Sequence, residues 1–260
     1  MGNNSNNKQN ANTSTAKSGG IVVGRNPVAE AIKANKTIDS VYINANAKGS
    51  INVIVNLCKE SGIVVKRVDD KKLDKMSGGA SHQGVIAVLG CSEYCSVSDI
   101  LDNARNKGED PFIIICDEIE DPHNLGAIIR TAEAVGAHGI IIPKRRSASL
   151  SSTVYKTSAG AVSHILVSRV SNLSSAIDEL KKNGVWIYGT DASGDDYTSV
   201  SLKGAIALVI GSEGFGMGRL IREKCDFLLK LPMYGKVNSL NASVAAGVFM
   251  YEAVRQRRSD

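Results

Sequence analysis

Residues 207–218 read ALVIGSEGFGMG, an unbroken apolar run that passes directly into a loop with glycine at 211, 214, 216 and 218 and one carboxylate, Glu213. A strand that is apolar at every position suits a parallel sheet covered on both faces. A helical pattern follows at 219–224, so the unit reads strand, loop, helix. The loop is not a dinucleotide fingerprint, because counting from Gly214 and Gly216 the third small residue would fall on Arg219. No G-x-x-x-x-G-K followed by Ser or Thr occurs anywhere in the chain. Four glycines permit unusual dihedrals and the close approach of a flat ligand. The same density also suits a plain tight connection.

Downstream, residues 231–247 read LPMYGKVNSLNASVAAG. Pro232 has no backbone donor, so it ends a strand or sits at its exposed end. Ser239 and Asn241 are small hydrogen-bonding groups at a helix start, and Ala242, Ser243, Ala245, Ala246 and Gly247 make a smooth helix surface. An ordinary N-cap on a packed terminal helix accounts for this pattern as well as a site does. Upstream, residues 117–132 read DEIEDPHNLGAIIRTA and begin at the carboxyl end of the apolar run 112–116. Ligands of open α/β sheets bind at such ends. Pro122 with Asp121 and Asn124 makes a turn and a helix cap. Arg130 follows Asn124 by less than two helical turns, so either it bends back toward that turn or it is a solvated arginine.

Strand patterns at 112–116, 139–142, 165–167, 185–189, 206–210 and 227–231 alternate with helical patterns at 125–135, 173–182, 219–224 and 240–255. Residues 110–260 therefore read as a doubly wound α/β domain. Before it, 93–109 reads as a linker with a short helix at 97–104, capped by Ser96 or Ser98. Residues 19–92 form a smaller α/β domain, with strands at 21–23, 41–43, 63–68 and 85–89 and helices at 27–34, 51–61 and 69–76. Residues 1–18, rich in asparagine among small polar residues, read as a disordered tail.

The 260 residues are 43% hydrophobic and 22% charged, a globular composition, and the net charge of +5 suits a polyanionic partner without proving one. The five cysteines, Cys58, Cys91, Cys95, Cys116 and Cys225, are odd in number and contain no C-x-x-C pair. That excludes a disulfide framework and a zinc ribbon and points to reduced, buried thiols in a cytoplasmic protein with no metal. The first twenty residues hold no apolar secretory core, and no apolar run approaches a membrane span.

Taken together and in this order, N-x-x-x-x-x-R, G-x-E-G-x-G and N-S-L-N-x-S-x-A resemble the three motifs of the SpoU/TrmH family of RNA 2'-O-ribose methyltransferases, the trefoil-knotted SPOUT class. That resemblance covers residues 111–257. The segments G-R-N-P-V-x-E-A, from Gly24, and H-Q-G, from His82, resemble the L30e-like RNA-binding domain that precedes the catalytic domain in the RlmB-like branch, whose members methylate a guanosine of 23S ribosomal RNA.

The resemblance implies a SPOUT-type knotted α/β methyltransferase domain behind a small L30e-like α/β domain, with S-adenosyl-L-methionine as methyl donor. The family's catalytic positions fall on Asn124, Arg130, Glu213, Ser239 and Asn241. Its cofactor, bound bent and mainly through backbone groups, would meet Gly211, Leu231 and Leu240, with Thr190 and Met233 beside them. Arg130 would act on the ribose hydroxyl, either as its base or as a clamp that stabilises the emerging alkoxide; a guanidinium normally holds its proton above pH 12. The resemblance also implies a homodimer whose site borrows from the partner, with the smooth face at 242–247 as one contact.

RNA would be held mostly through phosphates. Arg25 and His82 in the first domain are positions for it, as is the basic run Lys144, Arg145 and Arg146; a turn histidine and solvated charges are the plain alternatives. A tRNA guanosine or an rRNA adenosine as target remains open at this level. So does a non-catalytic ribosome assembly factor, although Arg130 and Glu213 are both present. A nicotinamide enzyme is disfavoured by the failed glycine fingerprint.

Overall fold

The computed structural model describes residues 20–47, 49–90 and 92–258. The tail expected at 1–18 and Cys91 lie outside the described residues. The first sheet is built from β1 (Ile21–Val23), β2 (Ile38–Asn44), β3 (Val64–Val68) and β4 (Val85–Leu89), in the order β1-β4-β2-β3. Strands β2 and β3 are parallel, and β4 runs antiparallel to both β1 and β2. Three helices connect them: α1 (Arg25–Lys33), α2 (Ile51–Glu60) and α3 (Asp70–Ser77). Strand β2 alternates as a half-covered strand must: Val41 and Ile43 join Val28, Ile51 and Ile54 in the core, while Tyr42 between them stays partly open.

The helix expected inside the connecting segment 93–109 is α4 (Val97–Lys107), and it lies against the second sheet. Ser96, not Ser98, caps it: its hydroxyl accepts from the Asp99 N–H while the Asp99 carboxylate accepts from the Ser96 N–H. Val97, Ile100 and Leu101 pack with Ile113, Ile115 and Ile141. A Cβ at Gly139 would come within 2.6 Å of Ile100 Cγ1, so only glycine at the start of the neighbouring strand lets this helix lie so close.

The second sheet has six strands: β5 (Phe112–Cys116), β6 (Gly139–Pro143), β7 (Leu166–Val170), β8 (Trp186–Asp196), β9 (Ile206–Ile210) and β10 (Phe227–Lys230). Their order is β10-β8-β9-β5-β6-β7, and every pairing is parallel. Helices α5 (Pro122–Ala134), α6 (Ser152–Thr157) and α9 (Ala242–Arg257) contribute to the core on one face, and α4, α7 (Leu173–Lys182) and α8 (Arg219–Lys224) to the core on the other. Side chains of β5 divide between them: Phe112, Ile114 and Cys116 enter one core, Ile113 and Ile115 the other. This double burial is why the strand is apolar throughout.

Two features depart from the sequence reading. Strand β8 runs on to Asp196, seven residues beyond the expected end at 189. Its partner β10 pairs with Gly189 and then with Asp195, so the residues between bulge out of the ladder. The short helix α6, started by Ser151 accepting from the Val154 N–H, was not expected at all. The two sheets also meet through polar groups. The buried Asp39 carboxylate of β2 accepts from Arg169 of β7 at 2.9 Å and from the Ser149 hydroxyl at 2.6 Å. The Arg169 guanidinium lies over the Tyr94 ring.

Candidate active site

A cavity opens at the carboxyl ends of β9 and β10 and beside the residues of β8 that follow Gly189. The loop after β9 folds back on itself: Ser212 and Gly216 exchange both backbone hydrogen bonds at 2.9 Å. A Cβ at Gly211 would stand 2.3 Å from the Gly216 carbonyl carbon, an approach no other residue permits. The Gly218 N–H then donates to Asp117 at the end of β5, at 2.7 Å, and so ties the loop to the neighbouring strand. Burial pushes the Asp117 carboxyl above its usual range; the Gly218 N–H opposes that shift, Glu118 adds to it and Arg146 opposes it.

Asn241 is where the three motifs meet. Its side-chain oxygen accepts from the N–H groups of Ser243 and Val244 and so caps α9. Its amide nitrogen donates to Asn124 Oδ1 at 2.9 Å and to Glu213 Oε1 at 3.2 Å. The amide orientation follows from this network, since the oxygen faces only donors and the nitrogen only acceptors. Asn124 lies in the first turn of α5, whose N-cap is Asp121, accepting from the His123 N–H.

Thr190, Gly211, Leu231, Met233 and Leu240, the five positions expected to hold a cofactor, all line the cavity, with Glu213 and Ser239. The Thr190 hydroxyl donates to the Val209 carbonyl at 3.0 Å, tying the wall to β9. Sequence reasoning missed Asp191 and Ala192, which the β8 bulge carries into the wall. Burial pushes the Asp191 carboxyl up, yet hydrogen bonds from Ser193 and Arg222 outweigh it and hold the group below the usual carboxylate range. The signal was the polar stretch TDASGDD at the end of an otherwise apolar strand pattern.

Arg130 does not line the cavity of its own chain. It is exposed, and among the described residues it has no hydrogen-bond or ion-pair partner. Helix geometry places it about 9 Å along α5 from Asn124 and about 120° around the axis. Its neighbour Thr131 faces Gly247 of α9. Three large apolar side chains of α9 are exposed on one stripe: Val244, Val248 and Tyr251.

The expected RNA positions differ among themselves. Arg25 braces the smaller domain, donating from Nε to the Gln83 carbonyl at 2.9 Å and from a terminal nitrogen to Ser50 Oγ at 2.8 Å. His82 accepts from the Gly84 N–H at Nδ1, so its Nε2 carries the proton and donates to Asp74. Both ring nitrogens are thus engaged in holding a turn. Arg146 is paired with Glu118 at 2.6 Å, whereas Lys144 and Arg145 have no ion-pair partner among the described residues. Among the described residues, no group of three or more His, Cys, Asp or Glu side chains is arranged for a metal. Burial pushes the thiols of Cys58 and Cys95 up to about 11 and those of Cys116 and Cys225 up to about 12, so they stay protonated at neutral pH. No helix among the described residues is long and apolar enough to cross a membrane.

Residues 111–251 match the model of the SpoU rRNA Methylase family. The chain belongs to that family. Residues 21–95 match a second model, RNA 2'-O ribose methyltransferase substrate binding, so this SpoU methylase carries an RNA substrate-binding domain ahead of its methylase domain. It is 52% identical, over 91% of its length and 95% of the relative's, to YacO of Bacillus subtilis (strain 168), whose name places it among TrmH family tRNA/rRNA methyltransferases. The SpoU methyltransferase AviRb from Streptomyces viridochromogenes, solved in complex with the cofactor AdoMet, is similar with a TM-score of 0.59 and 26% identity, over 96% of this chain and 94% of AviRb. The A. aeolicus TrmH/SpoU tRNA modifying enzyme is similar with a TM-score of 0.53 and 28% identity, over 62% of this chain and 81% of that one. The chain is therefore an RNA methyltransferase.

Proposed function

We propose that this SpoU methylase transfers a methyl group from S-adenosylmethionine to the ribose 2'-hydroxyl of a guanosine in 23S ribosomal RNA, in the cytoplasm and as a homodimer. The observation that carries the reading is the Asn241 amide, which joins Asn124 and Glu213 beside a cavity lined by Gly211, Leu231, Met233 and Leu240 together with Asp191 and Ser239. In this reading the segments after β9 and β10 form the trefoil knot of the SPOUT class.

The residues present fit the donor molecule. Gly211 lets the loop after β9 fold tightly against its own Gly216 at the cavity wall, and Asp191, held ionised by Ser193 and Arg222, adds negative charge to that wall beside a positively charged ligand. Gly211, Leu231 and Leu240 would hold it, with Thr190 and Met233 alongside. When bound, it supplies a methyl group already activated on a sulfonium, so no metal is required.

The task left to the protein is to align the ribose hydroxyl and to stabilise its oxygen as the proton departs. Asn124, Glu213 and Asn241 form a rigid polar wall that orients the nucleotide, with Ser239 beside it at the cavity rim. Arg130 serves as the phosphate and alkoxide clamp, because a guanidinium holds its proton too tightly to act as a base. Its position outside its own cavity, next to the exposed stripe on α9, supports a dimer in which the partner's surface completes the site. An rRNA target accords with the matched family model, SpoU rRNA Methylase.

The test is to map 2'-O-methyl groups in RNA from cells with and without the gene, by primer-extension stops at low dNTP. A stop lost from one guanosine of 23S RNA is the expected outcome. Loss from a tRNA or from an rRNA adenosine would redirect the target, and no lost stop in any RNA would sink the methyltransferase reading.

A further inference from the structure

A second cavity lies between the domains, at the far edge of the large sheet. Its walls come from α2 and β3 on one side and from the residues that follow β6 and β7 on the other. Lys59, Lys144 and Arg145 line it, and no carboxylate does. Across the rest of the chain, cations that approach other elements are mostly paired: Arg146 with Glu118, Arg169 with Asp39, Lys181 with Asp226, Arg222 with Asp191. Among the described residues, Lys59, Lys144 and Arg145 have no such partner. The Lys144 ammonium reaches across to the smaller domain, 3.6 Å from where a Cβ of Gly62 would stand. The remaining walls include Ile63, Val64 and Val65, whose low polarizability focuses the field of the three charges.

We propose that this cleft is a phosphate site: it takes phosphodiester groups of the substrate RNA several nucleotides away from the methylated ribose. The inference rests on the RNA-methyltransferase reading and adds to it where the chain crosses between domains. Three convergent cations that no protein anion neutralises repel one another, and a polyanion relieves that repulsion. The placement fits a continuous strand. The methyl-transfer cavity sits at β8, β9 and β10, and the cleft at β6 and β7 on the same carboxyl edge. Two to five strand spacings, roughly 10–25 Å, separate them. Arg146, held by Glu118, is excluded from the site although it belongs to the same basic run.

The test is equilibrium binding of in vitro transcribed 23S RNA to the full chain as salt is varied, for wild type and for the triple variant Lys59→Ala, Lys144→Ala, Arg145→Ala. Each lost contact to single-stranded RNA lowers the slope of log K against log salt by about 0.7, so a decrease of about 2 is expected. At low salt the affinity should fall at least about tenfold. The charge-preserving variant Lys59→Arg, Lys144→Arg, Arg145→Lys should retain the wild-type slope, which separates charge from folding. Arg146→Ala should bind as wild type, and S-adenosylmethionine affinity should be unchanged throughout. A triple variant with wild-type slope and affinity overturns the proposal. Displacement of RNA by millimolar inorganic phosphate at constant ionic strength would make the cleft a small-anion site and overturn it equally. If wild type methylates RNA and the triple variant binds it normally, only the cleft falls; if wild type neither binds nor methylates RNA, the underlying function falls too.

Discussion

In the six-stranded sheet, every residue of β5 and β9 is buried, whereas β3 of the four-stranded sheet leaves Lys66 and Arg67 in solvent. The larger sheet is parallel, and helices cover both its faces; the smaller is mixed and leaves its edge strand β3 partly in solvent. A sheet sealed on both faces can meet a ligand only at its strand ends. That is where the glycine loop, the Asn241 network and the basic cleft all lie. An open sheet can instead offer its edge and surface to a large polar partner. The division of labour between a methylase domain and a substrate-binding domain follows from that difference in covering.

The comparison can be broken first at the core. Ile114→Ala, at a fully buried position of β5, should cost about 2–5 kcal/mol in denaturant unfolding. Ile21→Ala, on the edge strand β1 and 44% exposed, should cost about 0.5 kcal/mol or less. Equal costs would mean that the two sheets are not covered differently. On α5, which leads away from the strand ends, Arg130→Ala should lower methyl transfer to RNA by about 10²–10³-fold. Circular dichroism and S-adenosylmethionine titration of that variant should match wild type, and retained turnover would remove Arg130 from the mechanism.

Asn241 sharpens the contrast between capping and chemistry. Asn241→Ala should lose about 1 kcal/mol of stability as well as activity. Asn241→Asp keeps the cap on α9 but sets an oxygen against Asn124 Oδ1 and Glu213 Oε1, so it should keep most stability and lose activity. An active Asp variant would show that the amide donor is dispensable.

The smallest effect concerns Asp117. Burial raises its carboxyl above the ordinary value, so the folded chain holds this proton more tightly than the unfolded chain. Stability from this group is therefore greatest below the ordinary carboxylate range and is lost as pH rises through the raised value. Asp117→Asn, which keeps an acceptor for the Gly218 N–H, should flatten that part of the stability–pH curve. An unchanged curve would show that the group is not raised.

Much of the site was legible because its chemistry depends on residue types at short spacing. Glycine at 211 and 216 marks a loop folded on itself, and the apolar runs announced a sealed parallel sheet. The bulge that brings Asp191 into the wall was not legible, since it arises from how β8 pairs with β10, a strand distant in sequence. His82 read as an RNA contact because of its motif; its two ring hydrogen bonds became visible only when the turn and α3 were placed together. The interdomain set of Asp39, Tyr94, Ser149 and Arg169 left no local pattern, because its members are spread over 130 residues.

By itself, the sequence determined the alternation of elements, the parallel character of the larger sheet and the residues of the three loops. These depend on local periodicity, turn chemistry and burial, which act over a few residues. Only the tertiary structure decided which polar groups meet: that one amide nitrogen joins Asn124 and Glu213, that Arg146 is spent on Glu118, and that Lys59 shares a cleft with Lys144 and Arg145. Hydrogen bonds and charges act over a few ångströms of space, and the chain path alone sets which distant residues come within that reach.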